Sequence, residues 1–343
     1  MPRPPIKNFR SKIRLGIIGL GQIAVKTHLP RLQKMPHLAI QAIYSSRLAH
    51  ARKIAQQYKI IEIFHHWEEL LQSHQIEAVL VCTPNFTHFP IVMDALRNHK
   101  HVLVEKPMCL TIHQADQIIH QAQNMKRVLL VGHNMRFDPV VRTAQKMLHD
   151  NKIGSVFSFH ATLAHSGPQV WSPKAKWFLN PAQVGGGVLM DLGIHVFDTL
   201  RFLLNESPKA ITALQPKKNS SQLTSDVHCS VLLEFPSGIL GTIQLSWRNP
   251  SYKNQIYLWG EKGSMQLNLS QEKDPIILEF KHSQVRSFPR IQFSALKFSM
   301  YDYFVQQIHG KAPAYQSAQD SREALRTVLA GYQSMRVNRK IWL

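Results

Sequence analysis

The most restrictive feature of this sequence is a glycine-rich turn that directly follows a short apolar run. Residues 13–18 fit a buried β-strand, and Gly19-Leu20-Gly21-Gln22-Ile23-Ala24 follow with the spacing Gly-x-Gly-x-x-Ala. The first glycine permits a tight bend, the second lets the backbone approach a pyrophosphate, and the small third residue lets a helix pack on the strand. Since the N-terminus of that helix would face the phosphates, we predict a dinucleotide site at Gly19, Gly21, Gln22, Ile23 and Ala24.

Strand-like and helix-like patterns alternate along the first part of the chain. Short apolar runs lie at residues 13–18, 38–44, 60–64, 78–82, 102–104 and 128–131, and helix-compatible stretches lie at 48–58, 87–98 and 111–124. This alternation predicts parallel strands joined by helical crossovers. We therefore predict an α/β protein whose first domain, residues 1–131, is a dinucleotide-binding Rossmann domain with a doubly wound parallel sheet.

The pattern changes after residue 154. A helical stretch at 189–204 is followed by β-like segments with turn residues between them, at 227–235, 239–247, 256–259, 264–269 and 275–280, and a last helix is predicted at 321–337. These segments predict a substrate-binding α+β domain, residues 132–343, with a large, mostly antiparallel open sheet; its last helix could pack back on the first domain. Because apolar residues alternate poorly at 239–247, we expect a second copy to cover this sheet, in a homodimer or homotetramer.

Charge and cysteine content narrow the function classes. Lys and Arg number 41 against 21 Asp and Glu, a formal charge of +20. Nucleic-acid binding is an alternative, but the basic residues are scattered, and the densest group, Arg3, Lys7, Arg10, Lys12 and Arg14, has no nucleic-acid-binding motif; affinity for acidic or phosphorylated small molecules is favoured. Three cysteines without a Cys-x-x-Cys spacing, and no apolar run near the ~18 residues of a membrane span, favour a cytoplasmic protein that does not enter a membrane.

The end of the second predicted strand bears on the choice of cofactor. An acid about 20 residues past a glycine-rich turn binds the ribose 2′-hydroxyl and selects NAD. Here Ser45, Ser46 and Arg47 follow the strand, with no carboxylate nearby. Two hydroxyls and a guanidinium suit a 2′-phosphate, because Arg can hold it through two hydrogen bonds. We predict NADP as the preferred cofactor and NAD as the alternative. The alternative interpretation of Arg47 is a solvated residue at the start of a helix.

Polar residues follow the fourth and fifth predicted strands. Open α/β sheets bind ligands at the carboxyl ends of their strands. We predict cofactor contacts there from Glu105 and Lys106 after one strand, and from Cys82, Thr83, Pro84, Asn85 and His88 after the other. Pro107 restricts Lys106 to an extended conformation, so that the ammonium can point to the nicotinamide end of the cleft.

Three glycines, at 185–187, precede the helix predicted at 189–204. On an α-helix Asp191, His195 and Asp198 share a face, because residues three and four apart are neighbours. They form either an exposed polar stripe or a carboxylate and an imidazole that point at a substrate, which the glycines let approach. No further cluster of ligands accompanies them, so we predict no metal site.

Taken together, these motifs resemble the Gfo/Idh/MocA (glucose–fructose oxidoreductase / inositol dehydrogenase) family. The resemblance covers essentially the whole chain and rests on residues 19–24, 82–85, 105–107, 136–139, 185–195 and 324–327. It implies a nicotinamide-dependent oxidoreductase of sugars, polyols or related carbonyls, an open C-terminal sheet with oligomer contacts, and catalysis by Lys106, Asp191 and His195. The adenosine-end acid of NAD-preferring members is absent here.

These residues allow a specific chemical hypothesis. We expect His195 to take the hydroxyl proton of the substrate, Asp191 to orient the imidazole, and Lys106 to stabilise the reacting oxygen. Arg136 is predicted as a further substrate-binding residue, and the active site is expected in the cleft between the two domains. Two alternatives stay open on the same fold: a non-catalytic dinucleotide- or sugar-binding regulator, and a cofactor-assisted glycosidase.

Overall fold

The computed structural model describes residues 12–173, 175–216, 226–271, 273–280, 284–289, 298–311 and 317–343. The chain divides into two compact units. The first unit contains residues 1–109, 113–132 and 300–318, and the second contains residues 110–112, 133–299 and 319–343. Of the basic group near the N-terminus, Arg3, Lys7 and Arg10 lie outside the described residues.

The first unit contains a six-stranded sheet in the order β3-β2-β1-β4-β5-β6, with every neighbouring pair parallel. Its strands are β1 (Ile13–Ile18), β2 (Leu38–Tyr44), β3 (Glu62–Phe64), β4 (Ala78–Val81), β5 (His101–Val104) and β6 (Leu129–Val131). The order reverses between β1 and β4, as in a doubly wound dinucleotide-binding sheet. The predicted Rossmann sheet is confirmed, with shorter strands than expected at β3 and β6.

Five α-helices lie between these strands along the chain. They are α1 (Leu29–Leu32), α2 (Leu48–Tyr58), α3 (Trp67–Gln72), α4 (His88–Arg97) and α5 (Ile112–Asn124). A π-helical segment, Ala24–His28, joins the glycine-rich turn to α1, and a short 3₁₀ segment, Asn85–Thr87, precedes α4. The predicted helix at 87–98 is therefore slightly shorter, and the helix at 111–124 begins one residue after Thr111.

The second unit contains a nine-stranded sheet in the order β14-β13-β12-β11-β7-β10-β9-β8-β15. Its strands are β7 (Val156–Ala164), β8 (Ala210–Leu214), β9 (His228–Glu234), β10 (Leu240–Ser246), β11 (Lys253–Gly260), β12 (Gly263–Asn268), β13 (Ile276–Phe280), β14 (Gln284–Phe288) and β15 (Ile341–Trp342). Strands β7 and β10 pair in parallel, and β9 and β10 are antiparallel, like β11 with both of its neighbours. The predicted mostly antiparallel sheet is confirmed.

The helices of the second unit include the segment with the predicted catalytic pair. They are α6 (Pro139–His149), α7 (Pro168–Trp171), α8 (Pro181–Val184) and α9 (Ile194–Leu204), with 3₁₀ segments at Asn134–Phe137 and Lys176–Leu179. The predicted helix at 189–204 is α-helical only in its second part, because Leu189–Gly193 is π-helical. Helix α6 begins with a capping carboxylate, since Asp138 accepts the N–H of Val140 at 2.8 Å.

Two further helices, α10 (Met300–Ile308) and α11 (Ala318–Val337), precede β15. The sequence assigned all of residues 132–343 to the second domain, but α10 belongs to the first unit. The physical reason lies in its buried face, where the ring of Tyr301 packs edge-on against His28 of the first unit. The main boundary falls between Gly132 and His133. Within the described parts of the chain, no helix combines the length and apolarity that a membrane span requires.

Exposure alternates cleanly along β10. Gly241, Ile243 and Leu245 are buried, whereas Leu240 and Thr242 are exposed. The interpretation of residues 239–247 as a poorly alternating strand is therefore wrong. What distinguishes this strand is that an apolar side chain, Leu240, lies on its solvent-facing side.

Several apolar side chains share that solvent-facing side of the second unit's sheet. Ser158 pairs with Leu240 on one neighbouring strand and with Trp259 on the other, so these two side chains lie on the same face. Leu240 is 49% exposed and Trp259 is 37% exposed. Leu232 pairs with Thr242 and adds a third apolar group to the patch, which we call the open-sheet patch (Leu232, Leu240 and Trp259).

Candidate active site residues

The fold itself requires only one of the two glycines in the glycine-rich turn. Gly19 has a φ of +97°, and a Cβ there would lie 2.7 Å from the carbonyl oxygen of Cys82. The fold therefore needs glycine at this position. At Gly21 the nearest atom to a Cβ would be the same oxygen at 3.9 Å, which is ordinary contact. The space beside Gly21 is therefore left for something other than the protein, and this fits the pyrophosphate of a dinucleotide.

The helix that follows the turn exposes its N-terminal residues. Gln22 and Ile23 are exposed, and the first helical hydrogen bond runs from the N–H of Val25 to the carbonyl of Gly21 at 3.0 Å. The N–H groups before that bond belong to the first turn, where backbone donors have no partner within the helix. Ala24 is fully buried, which agrees with its predicted packing role.

Hydrogen bonds connect the glycine-rich turn to the residues after β2. The N–H of Gly19 donates to the carbonyl of Tyr44 at 2.9 Å, and His50 Nε2 lies 3.0 Å from the carbonyl oxygen of Leu20. Ser45 and Arg47 follow directly, with the N–H of Arg47 donating to Ser45 Oγ at 3.3 Å. Ser46 and Arg47 are both exposed. The predicted ribose-binding residues therefore lie next to the predicted phosphate turn.

The residues after β4 make several structural contacts within the first unit. Burial raises the pKa of the Cys82 thiol, and its carbonyl packs on Gly19 as described. Pro84 begins the 3₁₀ turn, in which Asn85 is buried, and the Thr87 hydroxyl donates to Thr83 Oγ1 at 2.7 Å. This segment supports the glycine-rich turn from the side of β4.

His88 does not reach a ligand-binding surface. The side chain is fully buried, with Nδ1 2.7 Å from the Pro107 carbonyl oxygen and Nε2 2.8 Å from the Thr83 carbonyl oxygen. Burial also lowers the pKa of this imidazole. The prediction of His88 as a cofactor contact is corrected: it connects the segments after β4 and β5 through their backbones.

Lys106 lies at the end of β5, in the segment predicted to face the nicotinamide. Its side chain is half-buried, and its N–H donates to Glu105 Oε2 at 3.2 Å. The peptide bond from Lys106 to Pro107 is cis. Glu105 and Lys106 thus present a carboxylate and an ammonium at the carboxyl edge of the first unit's sheet.

The three glycines before the helical segment with Asp191 and His195 accommodate other parts of the protein, not a substrate. Gly186 has a φ of +152°, and a Cβ there would overlap the hydroxyl of Tyr332. A Cβ on Gly187 would overlap the backbone carbonyl of Asp226. The interpretation that these glycines let a substrate approach is therefore corrected, since Tyr332 and Asp226 occupy that space.

Tyr332 and Asp226 cap the first turn of this helix from distant parts of the chain. The Tyr332 hydroxyl accepts the N–H groups of Gly187 at 2.8 Å and Met190 at 3.1 Å, and donates to Asp226 Oδ1 at 3.0 Å. Asp226 Oδ2 accepts the N–H of Leu189 at 2.8 Å. Burial raises the pKa values of both Asp226 and Tyr332. We call this arrangement the Asp226–Tyr332 cap; it replaces a local N-cap side chain, which this helix does not use.

Asp191 lies within the π-helical segment and is buried. Its Oδ2 accepts the indole N–H of Trp247 at 3.1 Å and lies 3.8 Å from Nε2 of His165. Because His165 Nδ1 accepts the N–H of Gly167 at 2.9 Å, the proton of the neutral ring is on Nε2 and faces Asp191. Neither partner of Asp191 is near it in the sequence, because Trp247 and His165 lie on other segments of the second unit.

Asp198 and Arg136 form a buried ion pair. The guanidinium donates to both carboxylate oxygens of Asp198 at 2.8 Å, and a third contact, 3.3 Å long, joins it to Asp320. Arg136 and Asp198 are almost fully buried. The prediction that Arg136 binds substrate is therefore corrected, because its guanidinium is committed to carboxylates of the protein. Asp198 likewise does not share an exposed face with His195, which is half-buried.

Comparison with known proteins agrees with both units. Residues 13–133 match the oxidoreductase family with an NAD-binding Rossmann fold (GFO_IDH_MocA), and residues 141–266 match the C-terminal domain of the same family. The chain therefore belongs to the Gfo/Idh/MocA family. The predicted class, a nicotinamide-dependent dehydrogenase or reductase that acts on CH–OH groups, is confirmed.

Relatives align over most of the chain. Myo-inositol 2-dehydrogenase of Thermotoga maritima is 25% identical over 338 residues, 96% of this chain and 98% of that protein. The NADP(+)-linked D-xylose 1-dehydrogenase of Haloarcula marismortui is 25% identical over 260 residues, 74% of this chain and 72% of that protein. The crystal structure of aldose-aldose oxidoreductase from Caulobacter crescentus, complexed with glycerol, superposes with a TM-score of 0.83 at 26% identity, covering 97% of this chain and 100% of that chain.

The Asp226–Tyr332 cap predicts an unusual pH dependence of stability. Because burial raises the native pKa of Asp226, the native state binds this proton more tightly than the unfolded state. The free energy of unfolding of the wild type, relative to that of Asp226→Asn, should therefore fall as pH rises from about 4, the ordinary Asp value. It should level off once the native carboxyl has ionised. Urea unfolding between pH 4 and 8 measures this difference; a difference that is constant across the range would contradict the assignment.

Proposed function

We propose that this protein is an NADP(H)-preferring oxidoreductase of a sugar or polyol, in which Lys106, Asp191 and His195 are catalytic. The observation that carries the proposal is the turn at the end of β1, where Gly19 is required by the fold and Gly21 leaves space beside an exposed helix N-terminus. The family supplies the class of reaction. The residues of this chain suggest the finer assignments that follow.

The preference for NADP is supported by the charge around the ribose end. Ser45, Ser46 and Arg47 follow β2 with no carboxylate among them, and no Asp or Glu occurs anywhere between Met1 and Ile61. An exposed guanidinium at the start of α2 can hold a 2′-phosphate through paired, charge-assisted hydrogen bonds. The positive charge of the surrounding sequence also favours a ligand with an additional phosphate.

The chemical roles are assigned to three side chains. The nicotinamide, when bound, accepts or delivers the hydride. His195 takes the proton of the substrate hydroxyl during oxidation and returns it during reduction, since an imidazole can serve in both directions near neutral pH. Lys106 donates a hydrogen bond to the reacting oxygen and stabilises the negative charge that develops there. Asp191, held by the Trp247 indole, supplies a fixed negative charge on the same segment as His195.

The substrate class is inferred from the relatives. Myo-inositol, D-xylose and aldoses, named for three similar proteins, all carry secondary or hemiacetal CH–OH groups that could be oxidised by the same chemistry. Either a cyclic polyol or a sugar would satisfy the assigned roles. We also assign the protein to the cytoplasm, because Cys82, Cys109 and Cys229 are buried thiols.

The open-sheet patch supports a homo-oligomer. Leu232, Leu240 and Trp259 form an apolar group on the solvent-facing side of the second unit's sheet, and Tyr257 stacks on Trp259 with 6.3 Å between ring centroids. Apolar groups of this kind are usually covered in soluble proteins. A second copy of the chain, in a dimer or tetramer, is the occupant that we propose.

The cofactor proposal predicts a loss of NADP(H) affinity in Arg47→Ala. Removing a charge-assisted contact to phosphate should weaken binding about tenfold or more, from about 1.5–3 kcal/mol of interaction. NAD(H) affinity should hardly change, because NAD has no 2′-phosphate. Fluorescence titration of both cofactors measures this. Arg97→Ala is the matched control, since Arg97 ends α4 at the opposite edge of the sheet and is paired with Asp94. Equal affinities for the two cofactors in the wild type would refute the preference.

The catalytic proposal predicts coupled losses of turnover. Lys106→Met and His195→Ala should each lower the rate by about 10²–10⁴, because each removes a group that acts on the reacting oxygen. The double variant should be little worse than either single variant, since members of one catalytic unit are not additive. Asp191→Asn should lower the turnover rate by a smaller factor. All variants should still bind NADP(H).

Turnover is followed at 340 nm with a panel that contains myo-inositol, scyllo-inositol, D-xylose and D-glucose. The controls are Lys152→Met, an exposed lysine, and His149→Ala, whose side chain is 83% exposed. Near-wild-type rates in His195→Ala would refute the acid–base assignment. Glycoside cleavage without net cofactor turnover would favour the glycosidase alternative.

The oligomer proposal predicts dissociation when charge enters the open-sheet patch. Leu240→Lys should shift the molar mass from a dimer or tetramer toward the monomer, because a buried ammonium in an apolar interface is costly. Ile61→Lys is the control, since Ile61 is 85% exposed and belongs to the first unit. Light scattering at micromolar concentration measures both. A monomeric wild type would refute the proposal.

A further inference from the structure

A buried chain of hydrogen-bonding groups ends at the backbone of Lys106. The Tyr301 hydroxyl lies 2.8 Å from Nδ1 of His28, and Nε2 of His28 lies 2.8 Å from Glu105 Oε1. The other carboxylate oxygen of Glu105 accepts the N–H of Lys106 at 3.2 Å. Tyr301 and His28 are each 1% exposed. All four residues belong to the first unit.

The donor and acceptor groups fix the direction of the hydrogen bonds among Tyr301, His28 and Glu105. A carboxylate can only accept, so Nε2 of His28 carries the proton and donates to Glu105. In the neutral ring Nδ1 then has a lone pair, and Tyr301 must donate to it. Burial raises the pKa of the Tyr301 phenol, which keeps this hydroxyl protonated. Tyr301 and the N–H of Lys106 therefore stand at the two ends of the chain, and the Glu105 carboxylate accepts from both sides.

The position of His28 follows from the local helix geometry. It is the last residue of the π-helical segment Ala24–His28, which begins in the glycine-rich turn. Single π-helical turns within helices occur often at functional sites, because they reorient the side chains that follow. The same imidazole therefore links the helix of the predicted phosphate turn, the end of β5 and α10.

Gly132 provides the space that the Glu105 carboxylate occupies. A Cβ on Gly132 would lie 3.1 Å from Glu105 Oε1 and 3.2 Å from its Cδ. Such a contact is tighter than a well-packed interior allows, so the carboxylate would have to shift. Glu105 is thus held by His28 on one side and confined by the backbone of Gly132 on another.

We infer that Tyr301, His28 and Glu105 are positioning residues of the reaction, which fix the backbone of Lys106 and so the direction from which its ammonium reaches the reacting oxygen. This inference rests on the proposed function, in which Lys106 is catalytic. A catalytic side chain must be held near its productive geometry by neighbours whose own rotamers are locked. A buried tyrosine and histidine in direct hydrogen-bond contact meet that requirement.

Tyr301→Phe and Tyr303→Phe form a matched pair for the first test. Both tyrosines are 1% exposed and lie on α10, but the Tyr303 hydroxyl contacts Gln307 of the same helix, at 3.3 Å. The first readout is hydrogen exchange at the amide of Lys106, measured on the protein without substrate. We expect faster exchange in Tyr301→Phe than in Tyr303→Phe, with unchanged exchange at Leu103 of β5.

The second readout separates kcat from KM, with the best substrate of the panel. Tyr301→Phe should lower kcat by about tenfold or more, since small misplacements of a catalytic group cost up to about 10²-fold. KM, NADP(H) affinity and Tm should match those of Tyr303→Phe. If Tyr301→Phe and Tyr303→Phe agree both in Lys106 exchange and in kcat, the inference is overturned.

Substitutions of His28 test which of its two hydrogen bonds, to Glu105 or to Tyr301, is more important for kcat. Gln places its amide near the position of Nε2 and can still donate to Glu105, whereas Asn reaches only the position of Nδ1 and keeps the contact with Tyr301. We expect His28→Gln to keep more of the wild-type kcat than His28→Asn. Equal losses in the two variants, or a larger loss in His28→Gln, would contradict the positioning role.

Gly132→Ala approaches the carboxylate from the other side, since the three atoms nearest to a Cβ there all belong to Glu105. It should speed exchange at Lys106 and lower kcat, and unchanged values of both would count against the inference. Lys106→Met separates the two proposals. If that variant keeps its activity, the proposed function fails; if it is inactive while Tyr301→Phe behaves like its control, only the positioning chain fails.

Discussion

The Asp226–Tyr332 cap is the interaction on which the helical segment with Asp191 and His195 depends. A helix N-terminus leaves backbone donors without partners, and burying them unpaired is costly. Here a carboxylate and a phenol, from outside the helix, satisfy these donors and require glycine at 186 and 187. The direction of the helix that carries Asp191 and His195 is set in this way, and the Trp247 indole then fixes the Asp191 carboxylate.

Features encoded by neighbouring residues could be predicted from the sequence. The turn at Gly19 and the parallel sheet follow from local sterics and apolar spacing, and both were found. Strand β15 was missed because it has only two residues, Ile341 and Trp342. Strands β8 and β14 were also missed, although each has five residues, as many as β13, which was predicted. Strand β7 was also missed. It pairs with β10 and β11, which come much later in the chain, so no neighbouring residues indicate its place in the sheet.

The errors at the site have a common cause in long-range pairing. Arg136 looked like a substrate-binding residue because its partner Asp198 lies 62 positions away and cannot be inferred from local sequence. Likewise, His28 contacts Tyr301 across 273 positions. The assumption of a shared helical face for Asp191 and His195 used α-helical spacing, but the π-helical segment Leu189–Gly193 changes the angle between successive side chains.

The discontinuous first unit has a consequence for the order of folding during synthesis. Chains emerge from the ribosome N-terminus first, and domains usually fold as they are completed. The first unit is complete only when residues 300–318 have been made, since Tyr301 belongs to it, and the helix cap of the second unit waits for Tyr332. Neither unit can therefore complete its packing before α10 and Tyr332 have been made, and the parallel sheet of the first unit stays unfinished until α10 is synthesised.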